Sequence, residues 1–342
     1  MWREMGPRCW FSNNHLALTL RGIHSMLGRQ EEAILDADPA STARVSDLDI
    51  TDSRRWAPYR PRPDDIIISA FPKSGQTWTQ QIVSSLVFQD TAVRPLLQVS
   101  PWVDGRFRAV GLTYEQIEAQ THRRFLKAHL PIDGLPLYDD VKYIHVARDG
   151  RDAVMSIHNQ YRSHTDAQRE TLSKIGAEDS LIGRPFPLIP QRPAEFFRLW
   201  LTTPTVAGQA DGLPNLSYFD FEAGFWAERH RRNFLFVHYQ DLLAGREGEM
   251  RRIACFLDIE PDERVWPSLV EAAGFSAMRA AGDQLMPEYK NRFVFFNKGT
   301  NGRWRDVFAH EDLALYEMKV REKFSSDLAA WLSSGRLAIG EP

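Results

Sequence analysis

The run Ile66-Ile67-Ile68-Ser69-Ala70-Phe71, cut off by Pro72 and followed by Lys73-Ser74-Gly75-Gln76-Thr77-Trp78, leaves this chain few local choices. An unbroken run rich in β-branched residues reads as a strand, and Ile82, Val83, Leu86 and Val87 beyond Trp78 recur at helical spacing. The unit is strand, tight loop, helix. Such a loop aims the backbone amides of Ser74 to Thr77 and the positive end of a helix dipole at one point, with the Lys73 ammonium beside it. That point suits a phosphate or a sulfate. The common nucleotide loop, G-x-x-x-x-G-K-S/T, carries its lysine after the last glycine, whereas here Lys73 precedes the single Gly75. An ordinary strand-to-helix turn with a solvated lysine fits this stretch too, and further segments are needed.

The same kind of unit recurs. Phe125 to Leu130 is strand-like, and alternate residues of a strand face the same way, which sets Lys127 and His129 side by side. A lysine and a histidine sharing one direction near an anion loop offer a stabiliser of negative charge and a proton acceptor. Val141 to Ala147 is another apolar run, followed by Arg148-Asp149-Gly150-Arg151-Asp152 and by Val154, Ile157 and Tyr161 at helical spacing. Arg148 then sits at the carboxyl end of a strand, where ligands of open α/β sheets bind, and Ser156 lies one helical turn beyond Asp152. A self-paired, solvated Arg/Asp turn is the plainer alternative. Phe234 to Tyr239 reads as a further strand, leading through Gln240-Asp241-Leu242 into a helix with Ile253, Phe256 and Leu257. Strands alternating with helices predict an α/β domain with a central, mainly parallel sheet covered by helices on both faces.

The remaining segments frame this domain. Residues 1–60 form an expected lead-in, with a boundary near Arg60, and 336–342 a short tail around a single domain spanning 61–335. Ser163 to Pro193 loses periodicity and reads as a long loop of the lid or binding type. Glu195 to Leu201 and Phe221 to Arg229 are expected helices. Phe295 to Arg305 is a glycine-punctuated basic loop that includes Asn297, Lys298 and Gly299, and Glu311 to Leu332 is an expected amphipathic closing helix.

A net charge of −3 argues against a chain that coats nucleic acid or an anionic membrane, so any anion site must be a local concentration of basic residues. Cys9 and Cys255 are too few for a disulfide framework or a four-ligand zinc site. No apolar run approaches membrane-spanning length, and Asn13, Asn14 and His15 interrupt the first segment where a signal peptide needs an apolar stretch. The reading is a cytoplasmic protein.

In order and spacing, these segments resemble the cytosolic sulfotransferase family. The resemblance rests on Phe71-Pro72-Lys73-Ser74-Gly75-Gln76-Thr77-Trp78, then Lys127-Ala128-His129-Leu130-Pro131, then Arg148 with Ser156 eight residues on, then Tyr239-Gln240-Asp241-Leu242, then Asn297-Lys298-Gly299 through Gly302 and Trp304. It implies a P-loop-like fold, the donor 3′-phosphoadenosine 5′-phosphosulfate (PAPS), no metal, and a small-molecule acceptor bearing a hydroxyl or amine. It further implies that Lys73 and the amides of Ser74, Gly75, Gln76 and Thr77 hold the 5′-phosphosulfate, and that Trp78 and Phe275 stack on adenine while Tyr239 contacts it. Arg148, Ser156, Lys298 and Gly299 would bind the 3′-phosphate, with Asn297 where the family commonly has arginine. His129 would take the acceptor proton, with Lys73 and Lys127 stabilising the charge that develops. Gln76 and Ala273 stand where threonines are usual. The dimerisation motif of the family is poorly matched by Arg305 to Ala314, and no oligomeric state follows. An ATP-dependent kinase with a variant phosphate loop, needing Mg²⁺ and a strand-end carboxylate, and a non-catalytic nucleotide-binding module are the competing readings.

Overall fold

The computed structural model describes residues 48–180, 182–288 and 296–339, all within a compact unit running from Ala43 to Pro342. The expected lead-in up to residue 47, Phe295 of the basic loop and the last three residues of the expected tail lie outside the described residues. Strands β1 (Ile66–Ala70), β2 (Phe125–Ala128), β3 (Lys142–Ala147) and β4 (Phe234–His238) form one sheet in the order β2-β1-β3-β4. Every pairing is parallel, with Ile68 opposite both Lys127 and Ile144.

Parallel strands need crossovers, and these are helical. In chain order the helices are α1 (Gln76–Phe88), α2 (Val110–Glu118), α3 (Gly150–Arg162), α4 (Asp166–Glu178), α5 (Pro193–Thr202), α6 (Tyr218–Ala227), α7 (Tyr239–Phe256), α8 (Trp266–Ala272), α9 (Phe275–Ala280), α10 (His310–Lys323) and α11 (Ser326–Ser334), beside a few shorter turns. Alternate strand residues face two separate cores. Ile66, Ile68, Ala70, Ile144 and Val146 pack with Ile82 and Leu86 of α1 and Leu242 and Ile253 of α7. Ile67, Leu126, Tyr143 and Ala147 pack with Val154 and Ile157 of α3 and with Phe196, Trp200 and Phe225 of α5 and α6. A sheet buried on both faces requires strands that are apolar throughout, which is why β1 shows no polar alternation.

Two elements differ from the sequence expectation. Ser163 to Pro193 is not a continuous loop, because α4 occupies part of it. Its start is a reciprocal cap: the Gln168 amide donates to Thr165 Oγ1 at 3.2 Å, and the Thr165 amide donates to Gln168 Oε1 at 2.9 Å. Only Leu172 and Gly176 of α4 are buried, so its apolar period is too thin to see; the T-x-x-Q spacing was the available signal. The closing helix is two helices. Phe324 adopts extended backbone (φ −112°, ψ 142°) and buries its ring, and Ser325 caps α11 by accepting from the Leu328 amide.

Upstream of Arg60, Trp56 and Tyr59 belong to the core. The Tyr59 hydroxyl donates to Asp65 Oδ2 at 2.7 Å, and Arg124 Nε donates to Asp65 Oδ1 at 2.8 Å, which ties the entries of β1 and β2 together.

Candidate active site

The sheet order reverses at β1, with β2 on one side and β3 on the other, and the carboxyl ends of these strands open on a cavity of ≈ 800 Å³. Lys73, Gly75, Gln76, Thr77, Trp78, Lys127, His129, Arg148, Ser156, Tyr239, Phe275, Asn297, Lys298 and Gly299 all line it; Ser74 does not.

The loop after β1 owes its shape to two left-handed residues, Lys73 (φ 69°) and Gly75 (φ 110°). A Cβ at Gly75 would stand 2.8 Å from the Tyr239 ring, so the position admits only glycine on grounds of both conformation and space. The first intrahelical bond of α1 runs from the Thr79 amide to the Gly75 carbonyl (3.1 Å), leaving the amides of Gln76, Thr77 and Trp78 without a carbonyl of their own helix. Ser74 departs from expectation. Its amide donates to the Phe71 carbonyl at 3.2 Å and its side chain is fully buried behind the loop, so it does not join the anion-facing amides.

Gln76 departs in a different way. Its Nε2 donates to the Ile68 carbonyl (2.7 Å) and the Ala128 carbonyl (2.6 Å), cross-linking β1 and β2 from beneath. The side chain is therefore structural, and only its amide remains for a ligand. Gln76→Ala removes the shared donor from two buried carbonyls, and a loss of about 1–3 kcal/mol is expected. An unchanged thermal unfolding midpoint would show that these two bonds contribute nothing.

Beside the loop stand three cations and an imidazole. Burial, then Lys127 and Arg148, bring the Lys73 ammonium down to about 7. Burial brings Lys127 to about 8 against the opposing pull of Asp104 and Glu288. His129 Nδ1 lies 2.7 Å from the Ala70 carbonyl oxygen, which can only accept, so the ring proton is on Nδ1 and Nε2 keeps its lone pair. Burial, Lys127 and Lys73 hold this imidazole well below its ordinary value, although the Ala70 contact opposes them. A neutral imidazole with a free Nε2 is the proton-accepting form.

Arg148, immediately after β3, is the hub of the far side. Its Nε donates to Asn301 Oδ1 (2.9 Å), one terminal nitrogen to the Thr300 carbonyl (3.1 Å) and the other to the Lys73 carbonyl (3.3 Å), while its guanidinium lies 4.2 Å from the Tyr239 ring centroid. The Gly302 amide donates to Asp152 Oδ1 at 2.8 Å, and Asn301 Nδ2 to Gln240 Oε1 at 2.9 Å, buttoning the basic loop onto α3 and α7. At Gly299 (φ 64°) a Cβ would stand 2.7 Å from the Phe275 ring. Trp78 donates its indole N–H to the Ala273 carbonyl (2.7 Å) and meets Tyr239 edge-on. Phe275 and Ser156 are half-buried and Lys298 is exposed at the rim.

Sequence reasoning missed Trp102, Asp104, Asp152, Gln240 and Asn301 as parts of the site. Trp102, Phe107, Ile157, Tyr161 and Leu172 add apolar surface to the cavity lining, among polar residues that include Arg108, Gln116, His164 and Gln168. Of these residues only the N-G turn at Asn301-Gly302 carried a local signal, since the others act through partners remote in sequence.

A parallel sheet whose central strand feeds an anion loop, with basic residues at the ends of the two flanking strands, defines a P-loop-like fold with an anion site at its switch point. Residues 63–327 match the sulfotransferase domain family, and the chain belongs to that family. It is 33% identical over 304 residues to a glycolipid sulfotransferase of Mycobacterium bovis, a match covering 84% of this chain and 93% of the relative. Sulfotransferase 1 family member D1 of Mus musculus is 26% identical over 282 residues, covering 79% and 83% of the two chains. Among solved structures, mouse sulfotransferase SULT7A1 complexed with PAP superposes with a TM-score of 0.59 at 20% identity, covering 80% of this chain and 90% of that one. Retinol dehydratase in complex with retinol and PAP gives 0.55 at 22% identity, covering 78% and 83%. No described helix is long and apolar enough to cross a membrane.

Proposed function

We propose that this protein transfers a sulfuryl group from PAPS to a hydroxyl or amine of a small-molecule acceptor. The observation that carries the reading is the meeting of Lys73, Lys127 and the Nε2 lone pair of His129 in one cavity, at the mouth of a helix amino terminus. The named relatives and the folds solved with PAP support the choice of donor.

The residues present fit that donor. Lys73 and the amides of Gln76 and Thr77 would hold its 5′-phosphosulfate, Arg148, Ser156, Lys298 and the Gly299 backbone its 3′-phosphate, and Trp78, Phe275 and Tyr239 its base. Asn297, which lines the cavity beside Lys298, would offer the 3′-phosphate no charge. Gly75 and Gly299, where a side chain would strike Tyr239 and Phe275, let those two rings seat directly against the loops that border the cavity. When bound, the donor supplies an activated sulfuryl group whose transfer calls for positioning and charge stabilisation rather than covalent help, as in phosphoryl transfer. His129 Nε2 accepts the proton of the acceptor. Lys73 and Lys127 face the charge that builds between leaving and arriving oxygens. The apolar lining residues Trp102, Phe107, Ile157, Tyr161 and Leu172 favour an acceptor with an apolar body. The compartment is read as cytoplasmic.

Calorimetric titration with PAP (3′-phosphoadenosine 5′-phosphate), run beside ATP with and without Mg²⁺, tests the donor. Metal-independent binding of PAP that is lost in Arg148→Ala or Lys298→Ala is the expected result. Preference for ATP with Mg²⁺ would overturn the reading in favour of a kinase. Transfer from PAPS to a panel of phenols, sterols, glycosides and amino alcohols then identifies the acceptor, and PAP binding with no transfer would leave a nucleotide-binding module.

A further inference from the structure

Behind Lys127 and His129 lies a carboxylate that none of the assigned roles uses. Asp104 is wholly buried, and N–H donors meet both of its oxygens. The Trp102 indole N–H donates to Oδ2 at 2.9 Å, the His129 amide to the same oxygen at 3.0 Å, and the Trp56 indole N–H to Oδ1 at 3.4 Å. A carboxylate, which accepts on both oxygens and donates nothing, matches that set.

The indole it holds is shared. Lys127 Nζ lies 4.3 Å from the Trp102 ring centroid, in cation–π geometry. The His129 ring meets the same indole edge-on, with centroids 5.3 Å apart. The surrounding backbone is shaped for this seat. The Lys127 amide donates to the Pro101 carbonyl at 2.9 Å, the Val103 amide donates to the Lys127 carbonyl at 3.2 Å, and a Cβ at Gly105 would stand 2.6 Å from the indole.

We propose that Asp104 is a positioning residue of this site, fixing through the Trp102 indole and the His129 backbone the relative placement of the Lys127 ammonium and the His129 imidazole. The inference rests on the sulfuryl-transfer reading. Asp104 also acts on charge. Of the ionisable groups around Lys127, Asp104 and Glu288 favour the ammonium, while Lys73 and His129 in its protonated form disfavour it.

The test uses Asp104→Ala, Asp104→Asn and Trp102→Phe in the full chain, assayed with an acceptor that the wild type sulfates. Asp104→Ala is expected to lower kcat by about 10²-fold, the scale of a misplaced reacting group, with PAP affinity unchanged. Asp104→Asn removes the charge and leaves one acceptor oxygen of the two, with its amide N–H₂ at the other position. It should recover part of kcat while the alkaline limb of the kcat–pH profile moves to lower pH, because Lys127 then loses its proton sooner. Trp102→Phe removes the indole donor, and its loss should not add fully to that of Asp104→Ala, which removes the acceptor of the same bond. Without acceptor or donor, hydrogen exchange of the Trp102 indole should accelerate in Asp104→Ala. Unaltered exchange, a kcat close to wild type in Asp104→Ala, an unmoved alkaline limb in Asp104→Asn, or additive losses would each overturn the inference. Should Asp104→Ala fail to fold, the asparagine variant still decides it. A wild-type protein that transfers no sulfuryl group would overturn the functional reading instead, and the exchange measurement separates the two failures.

Discussion

His129→Asn is expected to lower sulfuryl transfer by about 10²–10⁴-fold, the usual contribution of a general base. Its affinity for PAP should stay at the wild-type level. The asymmetry follows from where the ring is tied. Nδ1 is committed to the Ala70 carbonyl, so Nε2 is the one basic nitrogen that can receive a proton from an acceptor. The residues read as holding the nucleotide lie on other elements: the loop after β1 and the start of α1, the turn after β3, α3, α7, α9 and the basic loop. Single-turnover rates with saturating donor, set beside calorimetry with PAP, separate the two quantities. Retained transfer would take the proton-accepting role away from His129, and a parallel loss of PAP binding would mean that the ring supports the donor pocket instead.

Lys73→Met is expected to cost about 10²–10³-fold in kcat, comparable to removing one preorganised charge stabiliser. It carries a second signature in protons. Lys73 at about 7 and Lys127 at about 8 both lie below the ordinary lysine value of 10.5, because burial penalises their charged forms. In the unliganded protein the folded state thus binds fewer protons than the unfolded one between these values and 10.5, and stability rises with pH across that window. A polyanion placed beside both amines favours their charged forms and lifts both values. Binding of PAP at pH 8 should therefore take up protons, and the uptake should fade below pH 6, where both amines are already charged. Calorimetry in buffers of different ionisation enthalpy reads this directly. Lys73→Met should lose the part that belongs to Lys73, and proton release by the wild type at pH 8 would contradict the assignment.

The features legible in the sequence were those fixed by neighbours close along the chain. The strand, loop and helix around Lys73 follow from a run of β-branched residues and a period of apolar ones. The side-by-side placement of Lys127 and His129 follows from strand parity, and the position of Arg148 from the end of β3. What stayed hidden depends on partners far away in sequence. The side chain of Gln76 goes to Ala128, a residue 52 positions on, and Asp104 reaches Trp56 from a separation of 48. The inward turn of the Ser74 amide is local, but no residue type announces it. α4 shows too few apolar residues to register as a period, although its cap spelled out its beginning.

Arg148 touches both the Lys73 carbonyl, in the loop beside β1, and the Thr300 carbonyl, in the basic loop. One rigid, planar group thereby sets the gap between two jaws of the nucleotide pocket. On the sulfuryl-transfer reading, a ligand bearing anions at both ends would meet basic groups on both loops, whereas one that concentrates all its charge at a single end would meet those of only one. On the same proposed reading, discrimination would depend on the distance between charges more than on their number, with Arg148 as the gauge of length.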